Sequence, residues 1–216
     1  MKNIIIMGDS YSTYKDCIPS GFRHYYGKRD RDENHFAEKF KLEETWWYQT
    51  VEKLGLNLVQ NNSWSGSTIC YTGYDNLDAS NVNSFIYRFN NLLKEDFFNK
   101  NQIDTMLVFG GTNDSWVGGP LGEMMFENWQ KSDLYAVKPA ICYFMHLLKE
   151  NIPKVEVHFI INTDLREEVV SCIIDACNHY NYKYLSLENI DKVEGHPTVL
   201  GMKQIYEQVV SYLVVI

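Results

Sequence analysis

The feature that most constrains this chain is a set of short apolar runs, each ending in small or polar residues, spread along its 216 residues. Lys2 to Met7 is rich in Ile and stops at Gly8-Asp9-Ser10. Similar runs recur at Leu56 to Gln60, Thr105 to Phe109, Val155 to Ile161 and Tyr182 to Leu187. A strand with one wet face alternates apolar and polar residues, whereas these runs are continuous, as strands buried on both faces are. Burial on both faces is the mark of a parallel sheet covered by helices. Between the runs, apolar residues fall at helical spacing: Trp47, Val51 and Leu54 before a Gly55 stop; Phe85, Phe89, Leu92 and Leu93; Ile141, Phe144, Met145 and Leu148; Val169, Ile173, Ala176 and Tyr180; and Met202, Ile205, Val209 and Leu213. Five strands alternating with five helices predict a three-layer α/β/α fold, with a flavodoxin-like five-stranded parallel sheet in the order 2-1-3-4-5.

No repeat, low-complexity tract or Pro/Gly/Ser linker offers a domain boundary, and 45% hydrophobic residues can fill a core, so 1–216 reads as a single domain. Two connections are longer than ordinary, about 11–44 and 115–131. Both follow strand C-terminal ends, where open α/β sheets bind ligands. The formal charge of -8 opposes binding to phosphate backbones or anionic lipid, and no nucleic-acid partner is expected. No apolar run approaches the roughly 18 residues of a membrane span, and Ile4 to Met7 is too short for a signal-peptide core. The expectation is a soluble, cytoplasmic protein. The five cysteines are odd in number and form no CxxC, which predicts small buried or half-buried residues rather than disulfides or a zinc site.

Gly8-Asp9-Ser10 places a serine just past a buried strand; alone, this reads as a turn. Its company is informative. Asn62-Ser63-Trp64-Ser65-Gly66 follows the second strand, Gly110-Gly111-Thr112-Asn113-Asp114 follows the third, and His196-Pro197 precedes the last helix. In this order and spacing the sequence resembles the SGNH or GDSL-type hydrolases over nearly its whole length. The resemblance implies that Ser10 is a nucleophile and His196 its general base, with the Ser10 and Gly66 N–H groups and the Asn113 amide forming an oxyanion hole. The chemistry agrees with that assignment. A serine hydroxyl attacks well only when an imidazole takes its proton, and a tetrahedral oxyanion needs donors already in place.

The chain departs from the family at Val193, where an aspartate usually orients the histidine. Glu194 and Asp191 are the nearby carboxylates. Strict strand alternation puts Glu194 on the side of His196 and favours it, with Asp191 next and a Ser-His dyad using a backbone carbonyl as the third arrangement. At least one of the two acids is expected to be a solvated surface charge. Asp9 and Asp114 read as structural supports. His146 and His179 fall in helices, His158 in a strand, and His24 and His35 in the first insertion; none is spaced as a metal ligand, and no cofactor is expected.

Aromatic residues gather after the nucleophile (Tyr11, Tyr14, Phe22, Tyr25, Tyr26, Trp46, Trp47) and after other strand ends (Trp64, Trp116, Trp129). Trp47 reads as core packing. Trp116, Tyr11 and Trp64 are the candidates for substrate contact, by sugar stacking or in an acyl pocket. Arg23, Lys28, Arg29 and Arg31 form a basic run that is either a solvated face or a seat for a substrate carboxylate. The expected activity is a serine esterase acting on a small O-acyl ester, O-acetylated sugars included. A lipase-like, lysophospholipase-like or thioesterase activity is the alternative, and a non-catalytic small-molecule binding module is the reading from a different class.

Overall fold

A computed structural model describes residues 1–27 and 36–215. Five parallel strands form one sheet: β1 (Asn3–Gly8), β2 (Asn57–Ser63), β3 (Thr105–Phe109), β4 (Glu156–Ile161) and β5 (Lys183–Ser186), in the order β2-β1-β3-β4-β5. This is the expected 2-1-3-4-5 order. The helices are α1 (Trp46–Leu54), α2 (Phe85–Lys94), the one-turn α3 (Phe97–Lys100) and α4 (Thr112–Trp116), then α5 (Val137–Asn151), α6 (Glu167–Tyr180) and α7 (Val199–Val215). α1 ends where the sequence predicts, on Gly55 in the left-handed region at φ 60°.

Alternate residues of each strand face opposite layers, and the two cores follow from that alternation. Ile4 and Ile6 of β1 and Leu107 and Phe109 of β3 pack under α1 and α7, against Trp46, Trp47, Met202, Ile205 and Val209. Ile5, Met7, Met106 and Val108 turn the other way, onto α2, α5 and α6 through Phe85, Phe89, Phe144, Met145 and Ile173. Burial on both faces holds for β1, β3 and nearly all of β4. It fails for the outer strands: β5 is mostly exposed and the first half of β2 only partly covered, because each has a neighbour on one side only. β2 also runs on through Asn61, Asn62 and Ser63, residues the sequence reading places in the following loop.

Gly8 aligns with Ser63 on one side and Phe109 on the other, so three strands end at the same level. The segments leaving them share one edge of the sheet. A fourth piece joins from the far end of the chain. Residues 192–197 form a two-residue hairpin, β6 (Lys192–Val193) and β7 (His196–Pro197), where the sequence suggests only a loop before α7. Among the described residues, no helix is long and apolar enough to cross a membrane. All five cysteines are free, Cys17 half-buried and the others buried.

Candidate active site

Ser10 opens a single 3-10 turn immediately after β1. Asp9 caps that turn, its Oδ1 accepting from the Tyr11 N–H at 3.1 Å. A side chain at Gly8 would put its Cβ 2.6 Å from Ser12 Cβ and from Ser63 Oγ, so only glycine lets the turn fold back this closely. The result is a nearly buried Ser10 with its hydroxyl at the sheet edge.

The hairpin brings His196 onto that hydroxyl. Glu194 and Gly195 occupy the turn at φ 50° and 77°, both left-handed, as the two central positions of a tight hairpin require. The strand alternation expected across Glu194 therefore gives way to a reversal of the chain. His196 Nε2 lies 3.0 Å from Ser10 Oγ, and Nδ1 lies 3.2 Å from the backbone carbonyl of Glu194. A carbonyl can only accept, so Nδ1 carries the proton and Nε2 offers its lone pair to the serine hydroxyl. Asp191 is engaged elsewhere: its Oδ2 accepts from the Thr198 hydroxyl at the start of α7.

Three rings enclose the imidazole. Tyr25 stacks on it face to face, with centroids 3.7 Å apart and planes 9° apart. Tyr11 is tilted against it at 5.6 Å, and Trp116 meets it edge-on at 5.7 Å and 72°. Trp116 closes α4 rather than lying in a loop, and it is 38% exposed. Tyr11 does not face solvent as a substrate contact would. It is fully buried against Phe109, and its hydroxyl donates to the Gly195 carbonyl, because the 3-10 turn aims it inward under the hairpin. Burial pushes its phenol above the ordinary range. Trp64 is half-buried and lies against Phe22 with centroids 4.3 Å apart. Of the basic run, Arg23 is exposed, and its carbonyl accepts from the Ser65 N–H at 2.8 Å. Lys28, Arg29 and Arg31, like His35, lie outside the described residues.

Gly66 and Asn113 border the same edge. Trp64 to Ser67 form a turn closed by Ser67 N–H to the Trp64 carbonyl at 3.2 Å, with Gly66 at its third position at φ 81°. Asn113, in α4, donates from Nδ2 to the Ser67 carbonyl at 2.9 Å and accepts at Oδ1 from the Tyr74 hydroxyl at 2.8 Å. An amide has two N–H groups, so one remains to give. Asp114, next in the chain, holds the segment after Gly66 by accepting from the N–H groups of Ile69 and Cys70 at 2.8 to 3.0 Å.

Beneath these pieces lies Arg88, 1% exposed. It donates to the carbonyls of Asn62, Gly8 and Asn83 and to the Ser67 hydroxyl, tying β1, β2 and the Gly66 turn together. Desolvation lowers its pKa to about 9, while the same burial raises that of Asp9 to about 7 and also raises that of Asp114. Sequence reasoning missed Arg88, although it falls between Phe85, Phe89 and Leu92 on the apolar stripe of α2, where a charge needs an explanation. Tyr74 was also missed; its short turn carries no distinguishing pattern. Among the described residues, no group of three or more His, Cys, Asp or Glu side chains could hold a metal ion.

Comparison with known proteins bears on this arrangement. A crystal structure of a candidate GDSL-like lipase from Bacteroides uniformis ATCC 8492 is 41% identical, with a TM-score of 0.90 over 100% of this chain and 96% of that one. A second, from Bacteroides ovatus ATCC 8483, is 36% identical with a TM-score of 0.89, covering 100% and 99%. An acetyl xylan esterase from Butyrivibrio proteoclasticus shares the fold at 17% identity and a TM-score of 0.64, covering 98% of this chain and 63% of that one. No curated protein matches the chain. The model of the family described as GDSL-like Lipase/Acylhydrolase matches residues 2–213, and the chain belongs to that family.

Proposed function

We propose that this member of an ester-hydrolysing family is a serine esterase that acts on a small O-acyl ester, O-acetylated carbohydrate foremost, through an acyl-serine at Ser10. The observation that carries the reading is the 3.0 Å approach of His196 Nε2 to Ser10 Oγ, with Nδ1 already committed to a carbonyl. As Ser10 Oγ attacks the ester carbonyl carbon, its proton passes to Nε2. The carbonyl oxygen takes the negative charge, toward the N–H groups of Ser10 and Gly66 and the remaining Asn113 N–H. Collapse expels the alcohol with the proton from Nε2 and leaves the acyl-serine. Water then attacks the acyl carbon with His196 again as base, and collapse returns the proton from Nε2 to Ser10 Oγ as the acid departs.

In this reading the orienting group is the Glu194 backbone carbonyl, so the machine is a Ser-His dyad. A neutral carbonyl stabilises an imidazolium less than a carboxylate does. Trp116, half-exposed beside His196, and the half-buried Phe22–Trp64 pair, tied to Gly8 by the Trp64 N–H, carry aromatic surface that suits a sugar ring. The two Bacteroides relatives, described as GDSL-like lipases, favour longer acyl chains as the second reading. Turnover of acetyl, butyryl and long-chain p-nitrophenyl esters, with acetylated xylan alongside, tests the choice. The proposal expects acetyl esters to be preferred. A rate rising with chain length would transfer the assignment to the lipase-like reading, and no turnover of any ester would remove both.

A further inference from the structure

Where the family usually has a carboxylate behind the histidine, this chain has Val193, and the Nδ1 hydrogen bond goes to a neutral carbonyl at 3.2 Å. That bond acts within the plane of the imidazole, whereas a ring stacked on its face acts across the plane. Resting on the reading of Ser10 and His196 as nucleophile and base, we propose that Tyr25 is the positioning residue for His196, fixing its plane by the face-to-face stack.

The geometry ties base and nucleophile to one hub. The Thr13 hydroxyl, fully buried, donates to the Ser10 carbonyl at 2.9 Å. The Thr13 hydroxyl oxygen in turn accepts from the Tyr25 N–H at 2.9 Å. Tyr25 lies on the imidazole at 3.7 Å, and the imidazole reaches back to Ser10 Oγ at 3.0 Å. The loop of contacts from Ser10 through Thr13, Tyr25 and His196 returns to its starting residue, so displacement of one member is resisted by the rest. The neighbouring residue strengthens the brace: the Tyr26 hydroxyl donates to the Pro197 carbonyl at 2.9 Å, and its ring meets that of Tyr25 edge-on. Tyr25 and Tyr26 thus clamp the histidine hairpin from Ser10's own side of the chain.

The stack also has a chemical consequence. When Nε2 takes the serine proton, the ring becomes a cation lying on an electron-rich face, an arrangement that favours the charged form. The contact is therefore tighter in the transition state than in the resting enzyme, and its loss should lower kcat more than it raises KM. Among the described residues, the groups facing the imidazole include Ser10 and Tyr11 from the turn after β1, Tyr25 from the insertion, Trp116 from α4 and Glu194 from its own hairpin. Lys192 lies farther out, its Nζ 5.9 Å from the Tyr11 ring centre.

The test compares Tyr25→Phe, which keeps the stack, with Tyr25→Leu, which fills much of the space without a π face. On p-nitrophenyl acetate, Tyr25→Phe should retain kcat within about threefold, and Tyr25→Leu should lose on the order of 10- to 100-fold with KM little changed. Equal losses in both variants would move the role to the hydroxyl and overturn the proposal, as would full activity in Tyr25→Leu. In the wild-type protein, NMR should find the His196 ring protons shifted upfield by the stacked ring, a readout that stands even if Tyr25→Leu does not fold. Ordinary positions for those signals would overturn the proposal too. Ser10→Ala and His196→Ala separate this from the underlying reading: if either keeps turnover, the nucleophile and base are misassigned, whatever Tyr25 does.

Discussion

Asn113 has two amide N–H groups, and the fold uses one of them to hold the other in place. The bonds to the Ser67 carbonyl and from the Tyr74 hydroxyl leave the amide a single orientation, which fixes where its second N–H points. Residue types at this level were legible in the sequence: serine, glycine, asparagine and histidine all stand at the expected edge. What orients them was not, because orientation depends on partners such as Tyr74, Thr13 and Arg88 that come from segments without motifs. The acids beside His196 show the difference. Residue spacing favours Glu194 by its side chain, whereas in the structure its main chain reaches Nδ1 and the Asp191 carboxylate serves Thr198. Glu194→Gln and Asp191→Asn should therefore each keep kcat within about tenfold of the wild type at neutral pH, far from the roughly 10⁴ loss that follows removal of a true orienting carboxylate. Steady-state kinetics checks both, and a loss of several orders of magnitude in either variant would restore that acid to the orienting role.

Elements were easier to read than their ends. β1, β3 and β4 are nearly continuous in burial, and a run of Ile, Val and Phe admits few other readings. β2 hides its last three residues because Asn61, Asn62 and Ser63 are polar yet buried, satisfied from below by bonds that include the Arg88 fork. The hairpin at 192–197 is short and mostly polar, and its type of turn rests on Glu194 accepting a left-handed conformation that few sequences advertise. Arg88 is the joint between elements. Replacing it with Met removes the guanidinium that lies over Phe85 and takes a donor from the Asn62, Gly8 and Asn83 carbonyls and the Ser67 hydroxyl, with Gly8 keeping the Trp64 N–H. Arg88→Met should cost about 3 kcal/mol or more in urea unfolding, and Arg88→Lys should rescue little, since an ammonium cannot reproduce the fork. A loss below about 1 kcal/mol would show that the joint carries little of the fold.

The whole molecule couples its site to its stability through buried charge. Asp9, fully buried beside Ser10, has a pKa of about 7 in the folded protein against an ordinary 3.8, with desolvation the main cause. Below about pH 4 the folded and unfolded chains both hold the proton. Between about 4 and 7 only the folded chain does, so unfolding releases a proton and this group's contribution falls by up to ~1.4 kcal/mol per pH unit as pH rises. Asp9→Asn removes that slope. Its stability relative to wild type should climb steadily from pH 4 to 7 in urea titrations, and a constant gap would contradict the assignment. The same architecture underlies the role proposed for Ser10, because β1, β2, β3 and the hairpin converge on its hydroxyl. The most direct measurement is intact-protein mass spectrometry after exposure to a fluorophosphonate probe, followed by peptide mapping. The account predicts one phosphonyl adduct on Ser10 in the wild type, none in Ser10→Ala, and strongly slowed labelling in His196→Ala; equal labelling of Ser10→Ala would contradict it.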